Sequence, residues 1–186
     1  MAALIEVIED PDDRRLPPLA RDALLSLVVQ LRATQERIAE LEKELTAWHR
    51  SSEASQRPTA IPGVGVITAT ALVATIGDAT QFRSARQFAA WLGQVPRQQS
   101  SGGKDRLGRI SKRGDGYLRR LLVHGARTVP FWSRRRKETR SNWLENLLAR
   151  RPTNVALAAL ANKTARIVWA MLCRNEPFQP DRQAAA

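Results

Sequence analysis

Ser100 and Ser101 are the residues whose type and surroundings are best suited to chemistry. Two glycines follow them, and arginines and lysines crowd the run over 96–120. A serine beside a cluster of cations suits attack on a phosphodiester, because cations neutralise the phosphoryl oxygens and glycines let the backbone approach the phosphate closely. The alternative is an ordinary flexible turn, since Ser-Ser-Gly-Gly stretches are common in loops.

Positive charge is concentrated around these serines. The formal net charge is +12, and residues 97–140 hold fourteen Lys/Arg against three acidic residues, a surplus of +11. A surplus of this size indicates a polyanionic partner, nucleic acid first and an anionic membrane surface second, against the alternative of a solvated basic face. The candidate phosphate-binding residues are Arg97, Lys104, Arg106, Arg109, Lys112, Arg113, Arg119 and Arg120.

The composition predicts an all-α protein. Hydrophobic residues make up 43% of the 186 residues and aromatic residues only 5%, which favours closely packed helices over a sheet. No segment approaches about 18 consecutive apolar residues and no secretory signal opens the chain, so we expect a cytoplasmic protein with no membrane partner. One cysteine and two distant histidines give no basis for a disulfide or a zinc site, and no metal ligands are predicted.

A heptad pattern precedes the basic region. Apolar residues recur seven apart from Leu24 to Leu45, and a second set follows three residues after each, with Thr34 among them. This pattern predicts a coiled-coil arm that forms a homo-oligomer through residues 24–48. The alternative is an amphipathic helix folded against its own domain, because Thr34 loosens the seam.

Breaks in composition divide the chain. The predicted parts are a tail or linker over 1–18, the coiled-coil arm over 19–50, a linker over 51–59, a helical DNA-binding domain over 60–178 and a disordered tail over 179–186.

The helical domain opens with a glycine-rich turn over 61–65. Pro62, Gly63, Val64 and Gly65 precede an apolar helical run, as in the second half of a helix-hairpin-helix motif. In that motif the turn aims backbone amides and a helix N-terminus at a DNA phosphate without reading sequence. The alternative is a turn between two helices that binds no ligand.

Helical periodicity indicates the elements that must support the serines. Ser84 and Gly93 bound a short helix whose Phe88, Trp91 and Leu92 we interpret as core. Further helices are predicted over 115–129 and 142–150, with a basic connection between them. A long final helix starts at Pro152-Thr153, with Val155, Leu157, Leu160, Ala161, Thr164, Ile167, Val168 and Met171 on its inner stripe. Asn162 and Lys163 are polar residues of that helix in a position to touch DNA.

Over 60–178 the chain resembles the C-terminal transposase domain of the bacterial insertion-sequence-110 type transposases, which are described as bridge-RNA-guided recombinases. The matching motifs are I-P-G-V-G-x-x-T-A at 61–69, F-x-x-A-x-x-x-A-x-x-G at 82–93 less closely, and S-S-G-G-K-x-R-x-G-R-I-S-K-R-G-D-x-x-L-R-R at 100–120. The arm also looks like the helical insertion that these proteins carry between their two catalytic halves.

The resemblance implies a role for each half of such a transposase. The serine before the glycines, Ser101 with Ser100 as the near alternative, would attack DNA and form a covalent phosphoserine. An N-terminal RuvC-like half would hold divalent metal on an acidic tetrad, and a guide RNA would be a further partner. The carboxylates before residue 60 have no such scaffold around them. We therefore expect Mg²⁺ only with a RuvC-like domain, and no DNA cleavage by this chain alone, whether it is a fragment, a mis-started frame or a split subunit.

A second hypothesis comes from a different class of protein. The chain could be a non-catalytic helix-hairpin-helix module that binds DNA or structured RNA and dimerises through the arm. Such a module accounts for the same charge and heptads. A structural or membrane-surface protein is a more distant third.

Overall fold

The computed structural model describes residues 2–98, 107–135 and 142–179. Over these residues it contains eight α-helices and two short strands, which confirms the all-α prediction. The chain divides into two compact units, Met1–Ala47 and Trp48–Ala186. The elements are α1 (Ala2–Glu9), α2 (Pro18–Ser51), α3 (Glu53–Gln56), α4 (Val66–Ile76), α5 (Ala85–Trp91), β1 (Pro96–Gln98), β2 (Leu107–Ile110), α6 (Gly116–Arg135), α7 (Asn142–Arg150) and α8 (Thr153–Arg174).

The first unit is built from α1 and most of α2. Helix α1 lies in the segment that the sequence predicts as a tail. Arg21 of α2 donates hydrogen bonds of 3.0 Å to the carbonyls of Val7 and Ile8, the last turn of α1, and Arg32 forms a salt bridge with Glu9. Because the last carbonyls of a helix have no partner within it, the Arg21 guanidinium stabilises the end of α1.

The heptad seam of α2 is open to solvent along much of its length. Ile38, Leu41 and Leu45 remain 50%, 42% and 39% exposed. Apolar side chains at this spacing lose exposure when a second helix packs on them. The coiled-coil pairing therefore stays a prediction. The exposed side chains of the seam are available to pack against a second helix.

Residues 51–59, which the sequence predicts as a linker, are folded. Helix α3 and a 3₁₀ turn over Arg57–Ala60 occupy the segment, and Ser55 and Pro58 are buried. The Ser52 side chain caps α3, and His49 Nδ1 lies 2.8 Å from Ser55 Oγ. The polar composition of this stretch thus supplies helix caps and internal hydrogen bonds.

Helices α4, α5, α6 and α8 enclose the core of the second unit. Leu72, Phe88, Leu118, Leu122 and Val168 are almost fully buried within it. The interpretation of Phe88 and Leu92 as core residues is confirmed; Trp91 is partly buried against the same cluster, its ring centroid 5.8 Å from that of Phe88.

Helix α5 ends beside the segment that leads into α6. Ser84 Oγ accepts a 3.1 Å hydrogen bond from the Gln87 amide, which confirms the predicted N-cap. Gly93 follows the helix with φ +69°, and a Cβ there would lie 2.8 Å from the Arg113 backbone nitrogen. Only glycine suits both this left-handed backbone and this close approach.

A two-stranded antiparallel sheet, which the sequence analysis did not predict, follows α5. Strands β1 and β2 pair with Pro96 opposite Ile110 and Gln98 opposite Leu107. The pairing continues beyond the strands, since the Ser111 amide donates to the Val95 carbonyl at 2.8 Å and the Lys112 amide donates to the Gly93 carbonyl at 3.0 Å. In the sequence, Ser100 and Ser101 lie between the two strands of this hairpin.

The last three helices differ in some details from those predicted. Helix α6 continues through Pro130 to Arg135, although helix was predicted only to 129. Helix α7 has the predicted bounds and α8 begins at Thr153, but Val155 is 52% exposed and does not belong to the inner stripe. By length and composition alone helix α8 could cross a membrane, but its inner stripe is buried in the protein core.

Candidate nucleic-acid interface

A groove of about 1650 Å³ lies between the hairpin, α6 and α8 of the second unit. Apolar residues such as Val123, Leu157 and Ile167 contribute to its lining. Among the described residues that line it, eight are basic and one, Glu176, is acidic. The basic residues are Arg109, Lys112, Arg119, Arg120, Arg127, Lys163, Arg166 and Arg174. A concave surface with this imbalance attracts a polyanion, because low-dielectric walls concentrate the field of the cations.

Helix α6 supplies one wall of the groove. Arg120, His124 and Arg127 line it and are exposed to solvent. They are spaced four and three residues apart, which places them on one face of the helix. Asp115 Oδ1 accepts a 2.8 Å hydrogen bond from the Leu118 amide and so starts the helix that presents them.

Arg119 has a different environment from its neighbour Arg120. It is partly buried, and its Nη1 donates a 3.0 Å hydrogen bond to the Leu92 carbonyl at the end of α5. The cation thereby satisfies a carbonyl that α5 leaves open. Arg119, one of the predicted phosphate-binding residues, lines the groove and also joins α6 to α5.

Helix α8 supplies the opposite wall. Lys163 Nζ lies 4.6 Å from the centroid of the Trp143 ring of α7, within the range of a cation–π interaction. Burial lowers the pKa of Lys163, and the neighbouring Arg166 guanidinium lowers it further. Both effects disfavour the charged ammonium, and an anion bound close to it would act in the opposite direction and raise this pKa.

Asn162 and Gln94 connect α8 to the base of the hairpin. Asn162 Nδ2 donates a 3.2 Å hydrogen bond to the Gln94 carbonyl, which gives Asn162 a structural role. The Gln94 side chain is buried, and neither of its amide atoms has a hydrogen-bond partner within the described part of the chain. Both residues line the groove.

Four of the predicted phosphate-binding residues lie on or next to the strands of the hairpin. Arg97 donates a 3.2 Å hydrogen bond from Nη2 to the Ser111 carbonyl on the opposite side of the hairpin. Arg109 is exposed on β2, and Lys112 is exposed with a positive φ of 55°. Arg97 and Arg113 flank a second, smaller depression of about 400 Å³ with Gln98 and Ser111. The predicted cations therefore lie on more than one surface of the hairpin.

The segment over 99–106 joins β1 to β2. It contains Ser100, Ser101, Lys104 and Arg106, and these four predicted site residues lie outside the described residues. The groove is lined by Pro96 of β1, shortly before this segment in the chain, and by Gly108 of β2, shortly after it. The candidate nucleophiles are thus attached in the chain to an edge of the groove.

The glycine turn before α4 divides into buried and exposed residues. Val64 is buried in the core, and Gly63 has φ +86° and packs against the backbone of Gly125 in α6. Pro62 and Gly65 are exposed, and Gly65, the N-cap residue of α4, has no side chain to bond the first amides of the helix. The exposed half of the turn leaves an open helix N-terminus, the feature that binds phosphate in other proteins.

Three groove cations were not among the predicted site residues: Arg127, Arg166 and Arg174. Arg127 follows Arg120 by seven residues, or two helical turns, and this spacing was the available signal. Nothing in the sequence indicates that α6 and α8 turn their cations toward a common space. Among the described residues, no group of three or more His, Cys, Asp or Glu side chains is arranged to hold a metal ion.

Residues 56–141 match the family described as "Transposase IS116/IS110/IS902 family". A "Probable family 20 transposase" of Pseudomonas aeruginosa is 49% identical over 96% of this chain and 53% of its own length. The transposase for insertion sequence element IS1111A of Coxiella burnetii is 44% identical over 88% of this chain and 45% of its own length. The transposase for insertion sequence element IS1328 of Yersinia enterocolitica is 40% identical over 90% of this chain and 50% of its own length. The chain spans about half the length of these curated relatives.

The chain is therefore similar to insertion-sequence transposases over most of its length. Residues 56–141 match the IS116/IS110/IS902 transposase family, and the resemblance found from the sequence motifs is confirmed.

Proposed function

We propose that this chain is the DNA-binding, serine-bearing part of an insertion-sequence transposase. The observation that carries the proposal is the groove with eight cations and one acid, to which the serine segment is joined through the hairpin. The groove cations would hold phosphates of the DNA backbone, and Ser101, or Ser100, would supply the nucleophile. The predicted contacts comprise Arg97, Lys104, Arg106, Arg109, Lys112, Arg113, Arg119 and Arg120.

If DNA binds in the groove, reversing the charge of two groove arginines should greatly lower the affinity for DNA. The variant R120E/R127E should bind a DNA duplex at least about tenfold more weakly at low salt, and its salt slope should fall by about 2, because two phosphate contacts are lost. Fluorescence anisotropy with a labelled duplex across a salt series measures both quantities.

The matched control is R150E/R151E. This variant makes the same change in net charge with two exposed arginines that do not line the groove. An equal loss in both variants would show that only total charge matters. Wild-type binding that does not weaken with salt would contradict the proposal itself.

Strand cleavage would require a second part of the transposase. The resemblance suggests a RuvC-like domain that holds Mg²⁺, and a guide RNA that pairs with the target; we propose both as partners of this chain. On this account the 186-residue chain does not cut DNA alone, and it acts at the bacterial nucleoid in the cytoplasm. Cleavage of a plasmid by the purified chain with Mg²⁺ would contradict the need for a RuvC-like domain. Failure of RNA to compete with DNA for the chain would argue against an RNA partner.

The arm would join two copies of the chain. Ile38, Leu41 and Leu45 expose the heptad seam, so I38E should shift the protein from dimer to monomer, because a buried charge in the seam has no partner. Light scattering after size-exclusion chromatography measures the mass. The control is V29E, since Val29 is 67% exposed and lies off the seam. A wild-type monomer at high concentration would refute the arm's role.

The second candidate function is a non-catalytic nucleic-acid-binding module. The exposed Pro62 and Gly65 and the uncapped start of α4 favour it, because they offer a phosphate site of the helix-hairpin-helix kind without a nucleophile. Under this alternative, substitution of both serines leaves every activity of the protein unchanged.

A further inference from the structure

The exposed face of α6 carries a stripe that alternates rings and cations. It consists of Tyr117, Arg120, His124, Arg127 and Phe131, all of which are exposed. They recur at intervals of three or four residues, and at about 100° per residue they fall within about 80° of the helix circumference. From first to last the stripe extends over about 21 Å of helix.

An aromatic side chain is exposed at each end of this stripe. Tyr117 and Phe131 are 51% and 54% exposed, in a helix whose opposite face buries Leu118 and Leu122. The ring of Trp132 packs edge-on against Phe131, with their centroids 5.6 Å apart. The rings of Tyr117 and Phe131 thus lie at the surface on the face of α6 that carries Arg120 and Arg127, and Trp132 is 52% exposed beside Phe131.

We infer that this stripe binds an unpaired nucleic-acid strand, with bases stacked on Tyr117 and Phe131 and phosphates held by Arg120 and Arg127. Proteins that bind single strands combine a cationic track with aromatic platforms, because every base has a face that can stack on a ring. Three of the five stripe residues, Arg120, His124 and Arg127, also line the basic groove, which places the strand along one wall.

A duplex is a poorer occupant of the same face. Its bases are stacked on each other and offer the protein only their edges and the phosphate backbone. The cations would be satisfied by a duplex, whereas the rings of Tyr117 and Phe131 would not. The inference rests on nucleic-acid binding by the groove and adds a preference for strands that are locally opened.

The test compares one variant on two probes. The variant Y117A/F131A of the full chain should bind a fluorescein-labelled oligothymidylate at least about tenfold more weakly, as expected for loss of stacking on two bases. Its affinity for a duplex of equal length should stay within about twofold, because the cations are retained. The control Y117F/F131Y keeps both rings and should bind the single strand like the wild type. Both residues are exposed, so circular dichroism should show folded variants.

The outcomes separate this inference from the proposed function. A wild-type protein that binds neither probe overturns both. If the wild type binds the duplex but Y117A/F131A weakens both probes equally, or weakens neither, the stripe inference is wrong and DNA binding stands. A 2-aminopurine base in the single strand gives a second readout, since its fluorescence should be quenched on the wild type and recover on Y117A/F131A.

Discussion

Replacement of Ser101 by alanine is expected to abolish the covalent protein–DNA adduct of the complete transposase. In the proposed step Ser101 Oγ forms a bond to phosphorus, one bridging P–O bond of the DNA breaks, and the leaving oxygen takes up a proton. Loss of a nucleophile in other enzymes lowers the rate by about a thousandfold or more, and alanine offers no substitute oxygen. The surrounding cations stabilise the negative charge of the transition state but cannot replace the attacking atom.

The measurement requires the chain together with a RuvC-like half and Mg²⁺. Labelled DNA that stays with the protein on a denaturing gel, and is released by protease, reports the adduct. S100A tests the neighbouring serine, and S111A is the matched control, because Ser111 lies in the same basic region and its amide bonds to Val95. An adduct that persists in the variant lacking both Ser100 and Ser101 would refute the serine mechanism. The non-catalytic alternative predicts no adduct in any variant.

Local signals allowed the sequence to predict much of the helical framework. Ser84 caps α5 and the pattern over 142–150 gives the bounds of α7, since caps and apolar spacing act within a few residues. The hairpin escaped prediction because its strands are only three and four residues long and interrupted in the chain by a glycine-containing segment. Their pairing depends on contacts such as Ser111 with Val95, which no local pattern records.

The candidate site shows the same division. The sequence revealed an excess of positive charge over 97–140, but not which cations face each other. Arg119 and Arg120 are adjacent in sequence, yet one bonds to the end of α5 and the other is exposed on the groove wall. Arg166 enters the site because α8 packs on α6 in the core. The geometry of the groove is therefore a tertiary property, and only the residue types within it were predictable.

Gly63 and Gly65 look equivalent in sequence, but the structure predicts opposite results for their alanine variants. G63A should lower the free energy of unfolding by about 3 kcal/mol, since it adds both an overpacked contact and a left-handed residue. Gly63 has φ +86°, and a Cβ there would lie 2.6 Å from the Gly125 carbonyl oxygen and 2.9 Å from a methyl of Val129. Backbone atoms of α6 cannot move aside as a flexible side chain does. Urea unfolding followed by circular dichroism measures the difference.

Gly65 is the matched control within the same turn. A Cβ at Gly65 meets nothing within 4 Å, and its φ of −96° is open to any residue, so G65A should change stability by less than about 1 kcal/mol. Equal destabilisation by G63A and G65A would contradict the packing of Gly63 on Gly125. Because G65A stays folded, its DNA affinity also tests the turn as a phosphate site. A loss of binding there without a loss of stability would assign Gly65 to DNA contact and Gly63 to the core.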